Sequence, residues 1–262
     1  MVNNFWFEAK NINCFKDGFK VIKDLNLNIA YSENVILIGP KGSGKSSLIE
    51  IINRNIYPVV TSESKLKIFN KELINLWELR NKISTVNNDI KNRINPNLQV
   101  YDLILSGLYG RYCYVQNKSE RDSYKVEKIM KKMNISNLSK KNFSYLSDGE
   151  KQISLIARAL IKKPQILILD EPIANLDYKS KFFVIDKVNE LSILNTKILC
   201  VTHDISTITN IYDRVIMLKD GKIIADGDQY KIINSENLNK LYGIQVEVTN
   251  NNGLWRINRL SK

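Results

Sequence analysis

Residues 39–46 read Gly39-Pro40-Lys41-Gly42-Ser43-Gly44-Lys45-Ser46, the spacing G-x-x-x-x-G-K-S. An apolar run, Asn34 to Ile38, leads into this stretch, and a helix-like run, Ser47 to Arg54, leaves it. Strand, glycine-rich loop and helix in that order make a phosphate cradle. The glycines let the backbone wrap a polyphosphate with its N–H groups pointing inward. The helix that follows brings the positive end of its dipole to the same phosphates. Lys45 reaches the β and γ phosphates, and the Ser46 hydroxyl suits Mg²⁺. Pro40, Lys41, Gly42, Ser43 and Ser47 complete the lining. A glycine-rich surface turn with a chance lysine is the bland alternative, but it does not account for the flanking strand and helix. The stretch predicts binding of ATP or GTP.

Working outward, Gln165 to Leu169 (QILIL) is a fully apolar strand ending in Asp170-Glu171-Pro172. A buried strand has a stiff end that holds carboxylates in place. Asp170 there suits Mg²⁺, directly or through water. Glu171 suits polarising an attacking water. A second apolar strand, Lys197 to Val201, ends in Thr202-His203-Asp204. A helix-like stretch, Tyr178 to Leu191, separates the two strands. Alternating apolar strands and helices imply an α/β core with parallel strands. Ligands bind such sheets at the carboxyl ends of the strands, where these polar residues collect. Phe15-Lys16-Asp17-Gly18-Phe19 reads as a hairpin turn. Lys219-Asp220-Gly221, between Val215–Leu218 and Lys222–Ala225, reads as another. Helical periodicity dominates from about Lys91 to Lys163.

Composition bounds the class. The chain has 262 residues, 44% of them hydrophobic, enough for one large domain. No run approaches the ~18 apolar residues of a membrane span. The N-terminal MVNNFWFEAK lacks the basic-then-apolar pattern of a secretory signal. The expectation is a soluble, cytoplasmic protein. Cys14, Cys113 and Cys200 are scattered, with no C-x-x-C pair, which argues against a zinc site or a disulfide framework. The net charge of +12 draws a protein to nucleic acid, anionic lipid and nucleotides. The lysines are spread along the chain and no nucleic-acid-binding motif accompanies them, so nucleic acid is not favoured.

Leu146-Ser147-Asp148-Gly149-Glu150-Lys151-Gln152 opens a helix running from Ile153 to Ile161. Taken alone it is an N-cap: a serine, then acids, then an apolar periodic run. Standing shortly before the Asp170 strand, it also reads as a second anion site. The Ser147 hydroxyl, the Gly149 N–H and the helix N-terminus supply the donors.

The order of these motifs resembles the ATP-binding cassette (ABC) ATPases, the nucleotide-binding subunits of ABC transporters. The resemblance covers nearly the whole length. It rests on the phosphate loop (Gly39 to Ser46), the signature (Leu146 to Gln152), Asp170-Glu171, the D-loop-like Ala174-Asn175-Leu176-Asp177, and His203. It implies an α/β fold: a P-loop (RecA-like) core, an antiparallel β subdomain and an inserted α-helical subdomain at about 91–163. The ATPase domain is then expected over 1–242, with a small C-terminal strand extension at 243–262 around Asn251-Asn252-Gly253. It implies ATP and Mg²⁺ as cofactors, Glu171 and His203 as catalytic residues, and Ser46 and Asp170 as metal ligands. His203, the chain's one histidine, matches the switch histidine at the γ-phosphate; a lone histidine at a strand end is otherwise structural or solvated. Phe15 matches the aromatic that stacks on adenine, with Phe19 a nearby rival and the core an alternative for either. The resemblance further implies that two protomers, a homodimer or a pair of related subunits, sandwich ATP head to tail, so that Ser147, Gly149 and Glu150 serve the nucleotide of the other protomer.

Two positions depart from the family pattern. Asp148 replaces the first glycine of the signature, where a carboxylate weakens anion binding by ~1 kcal/mol unless it points away. The Q-loop glutamine, a metal and coupling residue, is missing from Val86-Asn87-Asn88-Asp89-Ile90-Lys91. Asn88 aligns in one register and Lys91 in another. Asn88 keeps the carboxamide, whereas an ammonium cannot ligate a cation. Asn88 is therefore taken as the substitute, and little is expected of Lys91.

The leading reading is an ATPase subunit that powers a membrane transporter through a separate permease, peripheral on the cytoplasmic face. Asn34 to Ser47, Asn53 to Val60 and Ser106 to Gly110 are loosely similar to importers of metals, metal chelates or oxyanions. The aromatic stretch Tyr109 to Tyr114 is either a docking surface for a permease helix or a loop with stray aromatics. The runner-up is an ABC ATPase without a permease, serving assembly, regulation or nucleic-acid maintenance. A non-hydrolysing regulator is disfavoured, because Lys45, Asp170, Glu171 and His203 all remain.

Overall fold

The computed structural model describes residues 4–116, 118–191, 195–251 and 253–259. In chain order its first elements are β1 (Phe5–Lys16), β2 (Phe19–Ala30), β3 (Val35–Ile38), α1 (Lys45–Ile52), β4 (Lys65–Ile68), α2 (Leu76–Lys82) and β5 (Ile83–Val86). Next come α3 (Val100–Tyr109), α4 (Glu120–Lys132), α5 (Asp148–Leu160), β6 (Ile166–Asp170) and α6 (Tyr178–Glu190). The last are β7 (Lys197–Thr202), β8 (Arg214–Lys219), β9 (Lys222–Gly227), α7 (Gln229–Ile232), α8 (Ser235–Tyr242), β10 (Val246–Asn251) and β11 (Leu254–Arg259). They form two compact units, Met1–Arg80 with Lys197–Lys262, and Asn81–Thr196. No helix among the described residues is long and apolar enough to cross a membrane.

In the first unit β7, β3 and β8 run parallel, and β9 returns antiparallel beside β8. Every residue of β3 (VILI) is buried, as expected for a parallel strand covered on both faces. Asp220 (φ 49°) and Gly221 (φ 80°) make the β8–β9 turn; both positive φ angles are those of a two-residue hairpin turn whose twist suits the strands. Asp17 and Gly18 repeat the device between β1 and β2, with φ 50° and 81°. A three-stranded antiparallel sheet, β2-β1-β4, buries Trp6, Phe7, Ile12, Ile22 and Leu25. Arg214 spans from β8 to its surroundings. Its Nε and Nη2 donate to Asp226 at 2.6 and 2.7 Å, and Nη1 donates to the Asn28 carbonyl at 2.8 Å. The β10–β11 hairpin is held by Trp255, whose Nε1 donates to Gln229 Oε1 at 3.3 Å; Gln229 Nε2 donates on to the Tyr212 carbonyl. Asn252, expected at the centre of the C-terminal extension, lies outside the described residues.

In the second unit β5 and β6 pair in parallel, with Val86 opposite Leu169. Helices α3, α5 and α6 pack successively, and α4 lies against α3. Helices α4, α5 and α6 begin where the sequence offers a cap. Ser119 accepts from the Asp122 N–H, Ser147 from the Glu150 N–H, and Asp177 from the Ser180 N–H. At α5 the cap is reciprocal, since Glu150 Oε2 accepts from the Ser147 N–H at 2.8 Å. Two orphan N–H groups are satisfied at once, so the helix expected from Ile153 starts at Asp148.

Candidate functional site

The first unit builds the phosphate loop. Ile38 stands opposite Thr202 in the β3–β7 ladder, and the Gly39 N–H donates to the Thr202 carbonyl at 3.3 Å. The loop therefore leaves the sheet at the edge where His203 follows β7. The buried Lys45 ammonium donates to the carbonyls of Gly39 (2.7 Å) and Pro40 (2.8 Å), which curl around it. Phosphate oxygens are stronger, charged acceptors for the same group. Gly44 sits at φ 104°, and a Cβ there would lie 2.7 Å from the Val21 carbonyl oxygen, so no other residue fits. The Gly221 N–H donates to the Ser43 carbonyl at 2.9 Å, tying the loop to the β8–β9 turn. Ser43 Oγ is buried with no hydrogen-bond partner, an orphan that costs about 1–3 kcal/mol. Such an atom fits a loop completed by a ligand. Lys41, Gly42 and Ser46 are exposed, and Ser47 is buried.

The aromatic expectation at Phe15 meets a surface residue: Phe15 is 52% exposed and Phe19 76%, both beside the turn of the β1–β2 hairpin. Neither belongs to the core. The His203 backbone is fixed from α8, because Tyr242 Oη donates to its carbonyl at 3.0 Å. Nothing in sequence spacing pairs those two residues.

The second unit carries the acids and the signature. Ile166 to Leu169 are fully buried, and the strand delivers Asp170 and Glu171 to its carboxyl end. Glu171 stands at φ 51°, in left-handed backbone. For a residue with a Cβ this costs about 1–2 kcal/mol, a strain that functional residues often carry. The next turn closes on it, since the Ala174 N–H donates to the Glu171 carbonyl at 3.2 Å, and Asn175 is also left-handed at φ 62°. The Val86–Leu169 register brings Asn87 and Asn88 off the sheet where Asp170 and Glu171 leave it. Asn87 caps a 3-10 turn (Asn88–Arg93) by accepting from the Ile90 N–H, which leaves Asn88 exposed at its start.

At the signature, Ser147 Oγ accepts from Glu150 N–H, so its own proton is a donor toward solvent or ligand. Gly149 has a packing reason as well as a functional one. A Cβ there would lie 3.1 Å from Ser180 Cβ on α6, so glycine sets the approach of the two helices. Asp148 points outward, its side chain 62% exposed and 3.3 Å from Lys151. In the aromatic stretch, Tyr109 Oη donates to Asp122 at 2.8 Å and the Tyr112 ring lies 4.1 Å from the Arg158 guanidinium. Arg158 in turn donates to the Arg111 carbonyl. Tyr114, at 59% exposed, is the more open of the three.

The donors at Ser46, Asp170 and Asn88 are hard oxygens, the type Mg²⁺ takes. No group of three or more His, Cys, Asp or Glu among the described residues could hold a metal ion.

Known proteins resemble the chain in sequence and fold. The family model described as "ABC transporter" matches residues 22–174. An uncharacterized ABC transporter ATP-binding protein of Lactococcus lactis, YmeB, is 30% identical over 243 residues, 91% of this chain and 93% of that protein. The spermidine/putrescine import ATP-binding protein PotA of Spiroplasma citri is 32% identical over 88% of this chain and 64% of its own length. Among solved structures, cbiO1 from Clostridium perfringens, part of the ABC transporter complex cbiONQ, superposes with a TM-score of 0.77 at 26% identity, covering 91% of this chain and 94% of that one. The chain belongs to the ABC transporter family, as an ATP-binding subunit and ATP hydrolase with the P-loop fold.

Proposed function

We propose that the chain powers import through a separate transmembrane permease, as one protomer of a head-to-tail ATP-sandwich dimer on the cytoplasmic face of the membrane. In this reading 1–242 is the ATPase domain, with its helical subdomain at about 91–163, and 243–262 is a small extension. Gly39 to Ser47 bind the phosphates and Phe15 stacks on adenine. Ser46, Asp170 and Asn88 hold Mg²⁺, which when bound neutralises phosphate charge. Glu171 accepts a proton from the attacking water, and His203 contacts the γ-phosphate. Ser147, Gly149 and Glu150 serve the γ-phosphate of the other protomer.

The observation that carries this reading is that the phosphate-loop lysine and the proposed base both stand on built supports. Lys45 is threaded into its loop, and Glu171 is held in left-handed backbone at the end of a buried strand. Such a set is made to turn over. Coupling to import is supported by the names of PotA, an import ATP-binding protein, and of cbiO1, part of a transporter complex. Co-purification from detergent-solubilised membranes tests it. A multi-span partner is expected; nucleic acid or a complex without one would favour the ATPase that serves no permease.

A further inference from the structure

The two positions at which the chain departs from its family's pattern lie on one cleft. The 3-10 turn Asn88–Arg93 and the start of α5 line an opening of about 280 Å³, with Asn88, Lys91, Asp148 and Asn175 on its walls. The sequence separates Lys91 from Asp148 by more than fifty positions, so nothing in its spacing joins them.

The charges in this cleft explain each other. Asp148 is the first residue of α5, where a carboxylate favours the helix dipole but opposes any anion brought to the same end. Lys151, one turn on, is 3.3 Å away and offsets part of that charge. Lys91 comes from a different element and is half-buried. Burial lowers its pKa, Asp148 raises it and Lys151 lowers it again. A desolvated ammonium beside another lysine is unfavourable unless a carboxylate offsets it. With both lysines charged, the carboxylate is more than neutralised, and the end of α5 stays receptive to an anion.

We propose that Lys91 is a positioning residue that neutralises Asp148, so that the signature helix accepts the γ-phosphate presented by the other protomer. The inference rests on the head-to-tail reading above. It gives Lys91 a task that alignment with a metal-ligating loop did not. The loss of the signature glycine and the loss of the Q-loop glutamine become one paired change.

The test measures the ATP concentration that half-dimerises the Glu171→Gln protein in sedimentation. Lys91→Met keeps the buried stem and removes the charge; it should raise that concentration about fivefold, the equivalent of one modest ion pair. Lys91→Arg should match the parent. Asp148→Gly should abolish the sensitivity, so that Lys91→Met in that background changes nothing. The Lys91→Met defect should also shrink as salt rises, because the cleft is open to screening. An unaffected Lys91→Met protein overturns the proposal. So does an equal defect with and without Asp148, which would mean that Lys91 touches phosphate itself or only supports the fold. If the parent fails to dimerise with ATP, the sandwich reading falls first, and this inference with it.

Discussion

At the scale of single residues, the proposed function divides the chemistry between the phosphate loop, for binding, and the acid at the end of β6, for turnover. Lys45 is a buried cation already ringed by two carbonyls, so it is placed before any ligand arrives. Removing it leaves phosphate charge without a partner. Lys45→Ala should weaken nucleotide binding by tenfold or more, on the order of the 1.5–3 kcal/mol of a charged hydrogen bond. Glu171→Gln keeps shape and hydrogen-bonding reach but cannot take a proton, so binding should persist while hydrolysis falls by about a hundredfold or more. Isothermal titration reads the first effect and phosphate release the second. Full hydrolysis by the Glu171→Gln protein would remove Glu171 from its role. These residues were legible in the sequence because glycine spacing and a strand ending in two acids are local patterns. The support beneath them was not. Tyr242 holds the His203 carbonyl, and Ser180 sets the space at Gly149, through contacts that no spacing encodes.

At the scale of elements, legibility follows how much of the signal is local. Asp17-Gly18 and Asp220-Gly221 announce their turns, because each needs two positive φ angles that this pair tolerates. QILIL announces a buried strand. By contrast, β4 reads KLKI and pairs only along β1, and β5 reads ISTV with two half-buried polar positions. Strands that short carry little pattern of their own, and their pairing partners define them. Helix α8 was missed although Asn234 caps it and Gly243 ends it at φ 70°, a start and stop pair visible in sequence. Helix α4 permits a prediction. Asp122, in its first turn, accepts from Lys125 Nζ (2.9 Å), Tyr109 Oη (2.8 Å) and Ser119 Oγ (2.9 Å), and these hold its carboxyl well below the usual range. A folded pKa below the unfolded value of about 3.9 stabilises the fold above that pH, and the gain is lost as pH falls through the folded value. Asp122→Asn should therefore melt below wild type at about pH 7, and the gap should narrow steadily as the pH falls below about 4. A gap in Tm that persists undiminished in acid would show that the ion pair with Lys125 carries none of it.

At the scale of the whole molecule, one chain carries one phosphate loop and a net charge of +12, and in the proposed reading the start of α5 receives the phosphate of a second chain. Two such protomers repel, and the polyphosphate of ATP placed between them supplies the opposite charge. The head-to-tail dimer should thus depend on the γ-phosphate. Glu171→Gln protein with Mg-ATP should sediment as a dimer, and the same protein with ADP as a monomer. Ser147 is the residue to vary, because its oxygen is engaged by the Glu150 N–H while its proton stays available to a phosphate. Ser147→Arg should block the dimer by overfilling the interface, but it also removes the N-cap, at a cost of about 1 kcal/mol. Ser147→Asp separates the two effects. Aspartate caps a helix as well as serine does, so α5 should remain intact by circular dichroism, yet it has no proton to donate and opposes the phosphate. If the Ser147→Asp protein keeps its helix and still dimerises with ATP, Ser147 serves only as a cap, and the sandwich must be held by other contacts.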